Sequence, residues 1–510
     1  MQNESLPQFI HEVPARQAAE RPEAICLYPE NTAPMCYGDL WQATGQARDW
    51  LAGAGVQRGQ RVMIVGENCP EMIVLLFACS LLGAWPVSVN ARLSLREIET
   101  IAHHCEPALM FFTSGISASA ARHAQALAAK DCPAFFTGAN HYFVPERPGK
   151  PESGDIARRV ATLVYTSGTT GAPKGVMVSH RGLLHFAGVS SASRRMTGQD
   201  IAYAALPLSH IFGLATVLMA TFHAGASLVL RARFEVDDVL RSLTRPGLSI
   251  LQGVPTMFVR LLSATADQKK ITAPSLRYVY TGGAAMDLAL KGRVEKRFGL
   301  PLHHGYGITE YAGSMFITDI DHPRNDAGVG KAVAGVEIDI RHDGGTVEQG
   351  EKGGIHIKGP GIMLGYYRNP EQTAKALLPG GWLDTGDIGY LDRDGVLFLT
   401  GRSKDIIIRS GFNVYPQEVE AVINAYEGIR ISAVVGQAAE DGNEEVIAFY
   451  EPETGVQVDE AALMQHVSSA VAPYKRPARF IRIDCIPTTM SGKIQKEPLR
   501  EQLRRESASC

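Results

Sequence analysis

Across residues 37–230, short β-rich apolar runs such as RVMIVG and ATLVYT alternate with longer stretches of helical period such as GDLWQATGQARDWLAGAG. Strands separated by that much helix join their neighbours by crossover, so the rhythm predicts an α/β fold with largely parallel sheets. The longest apolar run, residues 72–89, is broken at Gly83 and Pro86 and diluted by Ser80 and Ser88. It reads as a buried helix passing into a strand, not as a membrane span. From about residue 330 to 399 the texture changes to short strands with turn signals, HDGG and DRDG, which predicts a small β-rich subdomain. GRSKD, at residues 401–405, then opens a last unit of about a hundred residues. There Val419, Val422, Ile423 and Tyr426 share one helical face, Leu463, Val467 and Val471 another, and Ile481, Ile483 and Cys485 alternate as a strand.

The 510 residues are 45% hydrophobic and 20% charged, the make-up of an ordinary globular protein. A formal net charge of −3 supplies no broad positive field, so neither nucleic acid nor an anionic membrane is an expected partner. Arg500, Arg504 and Arg505 form a local basic group that reads as a solvated helical face. The eight cysteines are scattered with no CxxC spacing, and the N-terminus, with Glu4, His11 and Glu12, lacks the apolar stretch of a signal peptide. Reduced thiols in a cytoplasmic protein are the expectation.

Residues 166–175 read TSGTTGAPKG. Glycines admit a ligand close to backbone N–H groups, hydroxyls add donors and Lys174 adds charge, a composition suited to a polyphosphate. The P-loop pattern fails, because Lys174 stands between Pro173 and Gly175 and lacks a following Ser or Thr. Alternating strand-like residues on both flanks predict a hairpin tip. Taken alone, the stretch is also what an ordinary glycine-rich loop looks like.

Seven stretches follow one another along the chain: YTSGTTGAPKG, LPLSHIFG, TGGAAM, HGYGITE, WLDTGDIG, GRSKD and PTTMSGK. In this order and spacing they resemble the adenylate-forming superfamily of acyl-CoA synthetases, nonribosomal adenylation domains and firefly-type luciferases, and fatty-acid and 4-coumarate CoA ligases in particular. The resemblance implies a large N-terminal domain of two α/β subdomains and a β-barrel-like subdomain, residues 1–400, a hinge at 401–404, and a small mobile α+β lid at 405–510.

It also implies residue roles. Thr166, Ser167, Gly168, Thr169, Thr170 and Lys174 would close over the β- and γ-phosphates of ATP, whose pyrophosphate leaving group needs its growing charge neutralised. Glu310 would hold Mg²⁺ and Thr309 would contact the α-phosphate; in isolation Glu310 is equally a helix N-terminal carboxylate. Gly282, Gly283 and Ala284 would approach the adenine, with Tyr306 stacked on it beside Gly307. Asp387 and Arg402 would hold the ribose, although DTGD alone reads as a turn. Lys493, in a loop otherwise unremarkable for an exposed lysine, would bridge the substrate carboxylate and the α-phosphate. His210 matches the position beside that carboxylate, and a satisfied core histidine is its other reading.

The implied reaction forms acyl-AMP and pyrophosphate, after which a thiol displaces AMP. Lys404 occupies the implied hinge, and Gly411 and Phe412 would line the tunnel of coenzyme A, Gly411 being equally a turn glycine. Three readings compete: an acyl-CoA synthetase, a module that loads a carrier protein, and an inert nucleotide-binding relative. The chain runs seventeen residues past Lys493, too few for a fused carrier domain. HIFGLATVLMA offers no aspartate for a substrate ammonium, and the catalytic positions are all present. The expected partners are therefore a carboxylic acid, ATP and coenzyme A, with a homodimer left open. Ile211, Phe212, Val254, Tyr280 and Met315 would form an apolar acyl pocket with no arginine or lysine to pair a second carboxylate. A monocarboxylic fatty or aryl acid is the expected substrate class, with malonate disfavoured.

Overall fold

The computed structural model describes residues 7–132, 139–166, 174–284, 286–342, 344–409, 412–438, 444–489 and 494–508. The chain starts in one sheet and leaves it at once: β1 (Ile25–Tyr28) pairs in parallel with a strand two hundred residues later. It then builds a five-stranded sheet around β2 (Arg61–Gly66), which lies between β3 (Trp85–Asn90) and β4 (Leu109–Phe112) and is parallel to both. The crossover from β2 to β3 is α1 (Pro70–Leu82), buried continuously from Pro70 to Ser80. A helix apolar on every side can only be stable inside a core. Pro70 opens it, and Gly83, at φ 80°, closes it in the left-handed conformation before β3, as expected from the apolar run.

β5 (Val160–Thr166) and β6 (Lys174–Ser179) form an antiparallel ribbon in which Thr166 faces Lys174, so the expected hairpin is present up to its tip. α2 (His180–Ser193) comes next, its N-terminus capped by the Ser179 hydroxyl, which accepts the Gly182 N–H at 3.0 Å. The nine-stranded sheet then fills in with β7 (Ile201–Ala204), β8 (Ser227–Leu230), β9 (Ile250–Gly253), β10 (Tyr278–Thr281), β11 (Leu302–Ile308) and β12 (Gly313–Ile317). Read across, it runs Lys331–Ala332, β12, β11, β10, β9, β7, β8, β1, Met35–Cys36. Every pair from β1 to β11 in that order is parallel, while β11–β12 is antiparallel.

The β-rich region is a six-stranded antiparallel sheet built on β13 (Glu337–His342), β14 (Gly353–Lys358), β15 (Trp382–Leu391) and β16 (Leu397–Arg402). Among the described residues no strand pairing links this sheet to the C-terminal unit; a 3₁₀ turn, Ser403–Asp405, makes the connection. The C-terminal unit contains α3 (Pro416–Asn424), β17 (Ile429–Ala438), β18 (Glu444–Pro452), α4 (Glu460–Ala470), β19 (Arg479–Arg482) and α5 (Lys496–Ala508), with Val419, Ile423, Leu463 and Val467 in one core.

Two expectations fail here. The strand at Ile481 ends at Arg482, so Ile483 and Cys485 lie beyond it, Ile483 packed against the core that α5 shares and Cys485 exposed. Arg500 is not solvated: it donates to Asp405 at 2.7 Å and ties α5 back to the 3₁₀ turn. No helix among the described residues is long and apolar enough to cross a membrane, and the seven described cysteines are free thiols.

Candidate active site

In a parallel sheet every strand presents its carboxyl end on the same edge, and ligands of such folds bind there. β7, β9, β10 and β11 deliver most of the expected residues to that edge. After β7, the loop of residues 205–211 is held by Asn68, buried to 4% exposure, whose amide donates to the carbonyls of Ala204 and Leu206 (3.2 and 2.9 Å). Its oxygen accepts the Leu208 N–H at 2.9 Å. His210 emerges from this loop half-buried, its Nδ1 accepting the Phe212 N–H at 3.2 Å. That bond assigns the proton of the neutral ring to Nε2.

A π-helix begins at Phe212 and runs to Met219, a wound segment of the kind that concentrates at functional sites. It starts close above the loop, and a Cβ on Gly213 would stand 2.2 Å from the Pro207 carbonyl oxygen. Only glycine fits.

Phe212 meets Tyr280 of β10 edge to face, with ring centroids 6.0 Å apart. A Cβ on Gly282 would lie 3.2 Å from the Phe212 ring, and one on Gly283 3.6 Å from Val254, so the two glycines and three of the expected pocket residues form one group. Ile211 and Met315 are buried in the same core. The expectation that no cation stands near is overturned: the Arg194 guanidinium, at the end of α2, lies 4.8 Å from the centroid of Tyr280. It sits 86 residues away in sequence, with no motif around it to give it away.

β11 carries most of the HGYGITE motif. Tyr306, 6% exposed, donates its hydroxyl to Asp387 Oδ2 at 2.6 Å, and Arg402 Nε reaches Oδ1 at 3.0 Å. Asp387 and Arg402 face each other across β15 and β16, so the sheet register sets the pair. Burial and then the Asp387 charge push the Tyr306 phenol well above its usual value, which keeps it a donor. Burial opposes the Arg402 charge, but Asp387 together with Tyr306, Asp405 and Glu310 more than restores it.

Beyond Tyr306, Gly307 is exposed and Thr309 buried, and Glu310 sits in a single 3₁₀ turn. Glu310 Oε1 accepts the Tyr366 hydroxyl at 2.9 Å; Lys174 Nζ lies 5.2 Å from that ring's centroid and donates to Gln372 at 3.0 Å. This chain, Glu310–Tyr366–Lys174, joins the hairpin to the end of β11. Burial and then Glu310 raise the Tyr366 phenol. Tyr366, Gln372 and Asn68 carry no signal in the sequence that would single them out. NPEQ marks a helix start, but nothing in it shows what the preceding tyrosine touches.

Ala284 is exposed at the same edge. Phe412 is 55% exposed and stacks on Tyr474 at 4.6 Å, and Lys404 lies in the 3₁₀ turn, its ammonium disfavoured by desolvation despite Asp405. Ser167, Gly168, Thr169, Thr170, Gly411 and Lys493 lie outside the described residues; Thr488 and Ile494, which flank the segment carrying Lys493, pair with each other. For Mg²⁺, Glu310 keeps one carboxylate oxygen clear of Tyr366, and one protein carboxylate beside phosphate oxygens is the donor set this ion favours, so the residues fit it.

Known proteins are similar to this chain in sequence and fold. The family described as AMP-binding enzyme matches residues 14–367, and the AMP-binding enzyme C-terminal domain matches residues 418–493. Feruloyl-CoA synthase of an Amycolatopsis species is 32% identical over 505 residues, 98% of this chain and 100% of that protein. ATP-bound MatB from Rhodopseudomonas palustris has a TM-score of 0.85 at 28% identity, covering 97% of this chain and 99% of its own. O-succinylbenzoate coenzyme A synthetase (MenE) from Bacillus subtilis, in complex with ATP and magnesium ion, has a TM-score of 0.80 at 29% identity, covering 96% and 99%. The chain belongs to the AMP-binding enzyme family of the adenylate-forming superfamily and is an AMP-forming acid–CoA ligase.

Proposed function

We propose that the protein activates a carboxylic acid with a flat or extended apolar body, using ATP and Mg²⁺, and passes the acyl group to coenzyme A. The supporting observation is the meeting, at one edge of the sheet, of an aromatic pocket (Phe212, Tyr280, Val254) with the Tyr306–Asp387–Arg402 unit.

In the first step a carboxylate oxygen attacks the α-phosphorus, the bond to the bridging oxygen breaks, and pyrophosphate leaves. His210, with its proton on Nε2, orients the carboxylate by donating to it. Asp387 keeps a lone pair on each oxygen for a ribose hydroxyl while Tyr306 and Arg402 fix its plane, and Tyr306 offers a ring face to the adenine beside Gly282, Gly283 and Ala284. Lys174 and the hydroxyls of the hairpin tip close over the phosphates, with Thr309 at the α-phosphate. Glu310 would hold Mg²⁺, which when bound neutralises phosphate charge. Lys493 bridges carboxylate and α-phosphate.

In the second step the thiol sulfur attacks the acyl carbon, the bond to the phosphate oxygen breaks, AMP leaves and the thiol proton passes to solvent. The lid, residues 405–510, turns about a hinge at 401–404 between the steps, exchanging Lys493 for the coenzyme A tunnel at Gly411 and Phe412. A hinge there is supported by the break in strand pairing and by the polar ties across it, Lys352 to Glu418 and Arg293 to Glu453. The free thiols favour a cytoplasmic location.

The test is pyrophosphate release from ATP and Mg²⁺ over a panel of fatty acids, benzoates and cinnamates, with and without coenzyme A. Release that rises with coenzyme A and yields acyl-CoA is the expected result; release indifferent to it would point to a carrier protein as acceptor.

A further inference from the structure

Exposure falls steadily along the path from the reacting end of the pocket. His210 and Phe212 are half-buried, Tyr280 is 1% exposed, and Arg194, over its ring, is fully buried. The guanidinium also lies 5.8 Å from the Tyr278 ring centroid. One nitrogen, Nη1, donates to the Thr216 carbonyl of the π-helix at 2.9 Å. Nε and Nη2 have the Tyr278 hydroxyl as their polar neighbour, and among the described residues no carboxylate pairs with this charge, Asp200 being taken by Arg277.

It is not the only such group. Gln252 of β9, 2% exposed and in register with Tyr280 on the same face of the sheet, has neither amide atom bonded. The Tyr278 hydroxyl is buried beside the Arg194 guanidinium, its neighbour in charge and hydrogen bonding, and the Ser190 hydroxyl, one helical turn before Arg194, is buried and unbonded. Buried polar groups are ordinarily satisfied, and a buried cation without an anion is among the most costly arrangements a core can hold. Two unbonded polar side chains, Gln252 and Ser190, and a guanidinium with no carboxylate partner among the described residues, behind the aromatic wall of the pocket, favour a polar occupant.

We infer that the acid carries a second anionic group, a carboxylate or its equivalent, at the end remote from the one activated, and that Arg194 with Gln252 reads it. This rests on the ligase reading above and narrows its substrate class. Two rings, Phe212 and Tyr280, separate His210 from Arg194, so the spacer between the two anions is at least ring-sized. Malonate remains disfavoured, now by length. Arg194 touches no reacting atom, and its role is selection.

The experiment compares matched acids that differ only at the far end: terephthalate with 4-methylbenzoate, 3-(4-carboxyphenyl)propanoate with 3-(4-methylphenyl)propanoate, and suberate with octanoate. For the wild-type enzyme, kcat/KM for acyl-CoA formation is expected to favour the dianion of at least one pair by about 10- to 100-fold, as a charge-assisted hydrogen bond would. Arg194→Met should abolish that preference through the KM of the dianion, and Arg194→Lys should restore part of it. Gln252→Leu should weaken it, and serves if Arg194→Met does not fold. Preference for the neutral acid in every pair, or a dianion preference untouched in both Arg194→Met and Gln252→Leu, overturns the inference and leaves the ligase standing. Absence of pyrophosphate release with any acid fells the ligase reading, and this inference with it.

Discussion

Asp387 gives each of its two carboxylate oxygens to a different neighbour, a phenol on one side and a guanidinium on the other. Its orientation is thereby fixed before any nucleotide arrives, the preorganisation that makes a charge-assisted contact effective. Asp387→Asn keeps an acceptor for Tyr306 but removes the charge, so kcat/KM for ATP should fall about 10- to 100-fold. KM for the acid should not move; titrating each substrate in the pyrophosphate assay separates the two. Lys493→Ala should depress pyrophosphate release by about 100-fold or more. Thioester formation from synthetic acyl-AMP and coenzyme A should stay near wild type, and equal loss in both half-reactions would contradict the role given to this lysine. The ordered motifs single out both residues in the sequence. Arg194 is not: a lone arginine beyond a helix shows its importance only when the sheet brings Tyr280 beneath it.

At the scale of elements, the sequence shows periodicity and hides the ties between elements. The helix at Pro70–Leu82 and the strand at Trp85–Asn90 can be read from one apolar run with a glycine in it, because burial on all sides leaves no polar stripe. Strand ends are less legible, as at Ile481, where alternation continues past Arg482 because Ile483 packs into the core that α5 shares. Asn68 is invisible, since its three bonds reach a loop some 140 residues away. Asn68→Leu would strand two carbonyls and an N–H in a buried site, so a stability loss on the order of 2–4 kcal/mol is expected. It should come with a raised KM for the acid and an unchanged KM for ATP, measured by denaturant midpoints alongside kinetics.

For the whole molecule, three buried histidines set the response to acid. Burial lowers His180 to about 3, and His303 and His304 to about 4, from an ordinary value of 6.5. Below pH 6.5 the unfolded chain takes up protons that the folded one refuses, so stability is full above that pH and falls toward pH 4. Each histidine contributes a slope of up to about 1.4 kcal/mol per pH unit. Urea midpoints should therefore be flat from pH 8 to 7 and drop steeply between 6 and 4.5; a flat profile down to 4.5 would show that these rings protonate without cost.

The pairing of Ile25–Tyr28 with Ser227–Leu230 bears on how the protein is made. On the ribosome, a strand that emerges among the first thirty residues waits for a neighbour about two hundred residues behind it, roughly 10–40 s at ordinary elongation rates. During that interval the mostly apolar helix at Pro70–Leu82 is also outside the exit tunnel without the core that covers it. The nascent chain thus shows an open strand edge and an uncovered hydrophobic helix together, the two features that chaperones bind and that aggregation exploits. Synonymous changes that slow decoding between these segments lengthen the exposure without altering a single residue of the finished enzyme.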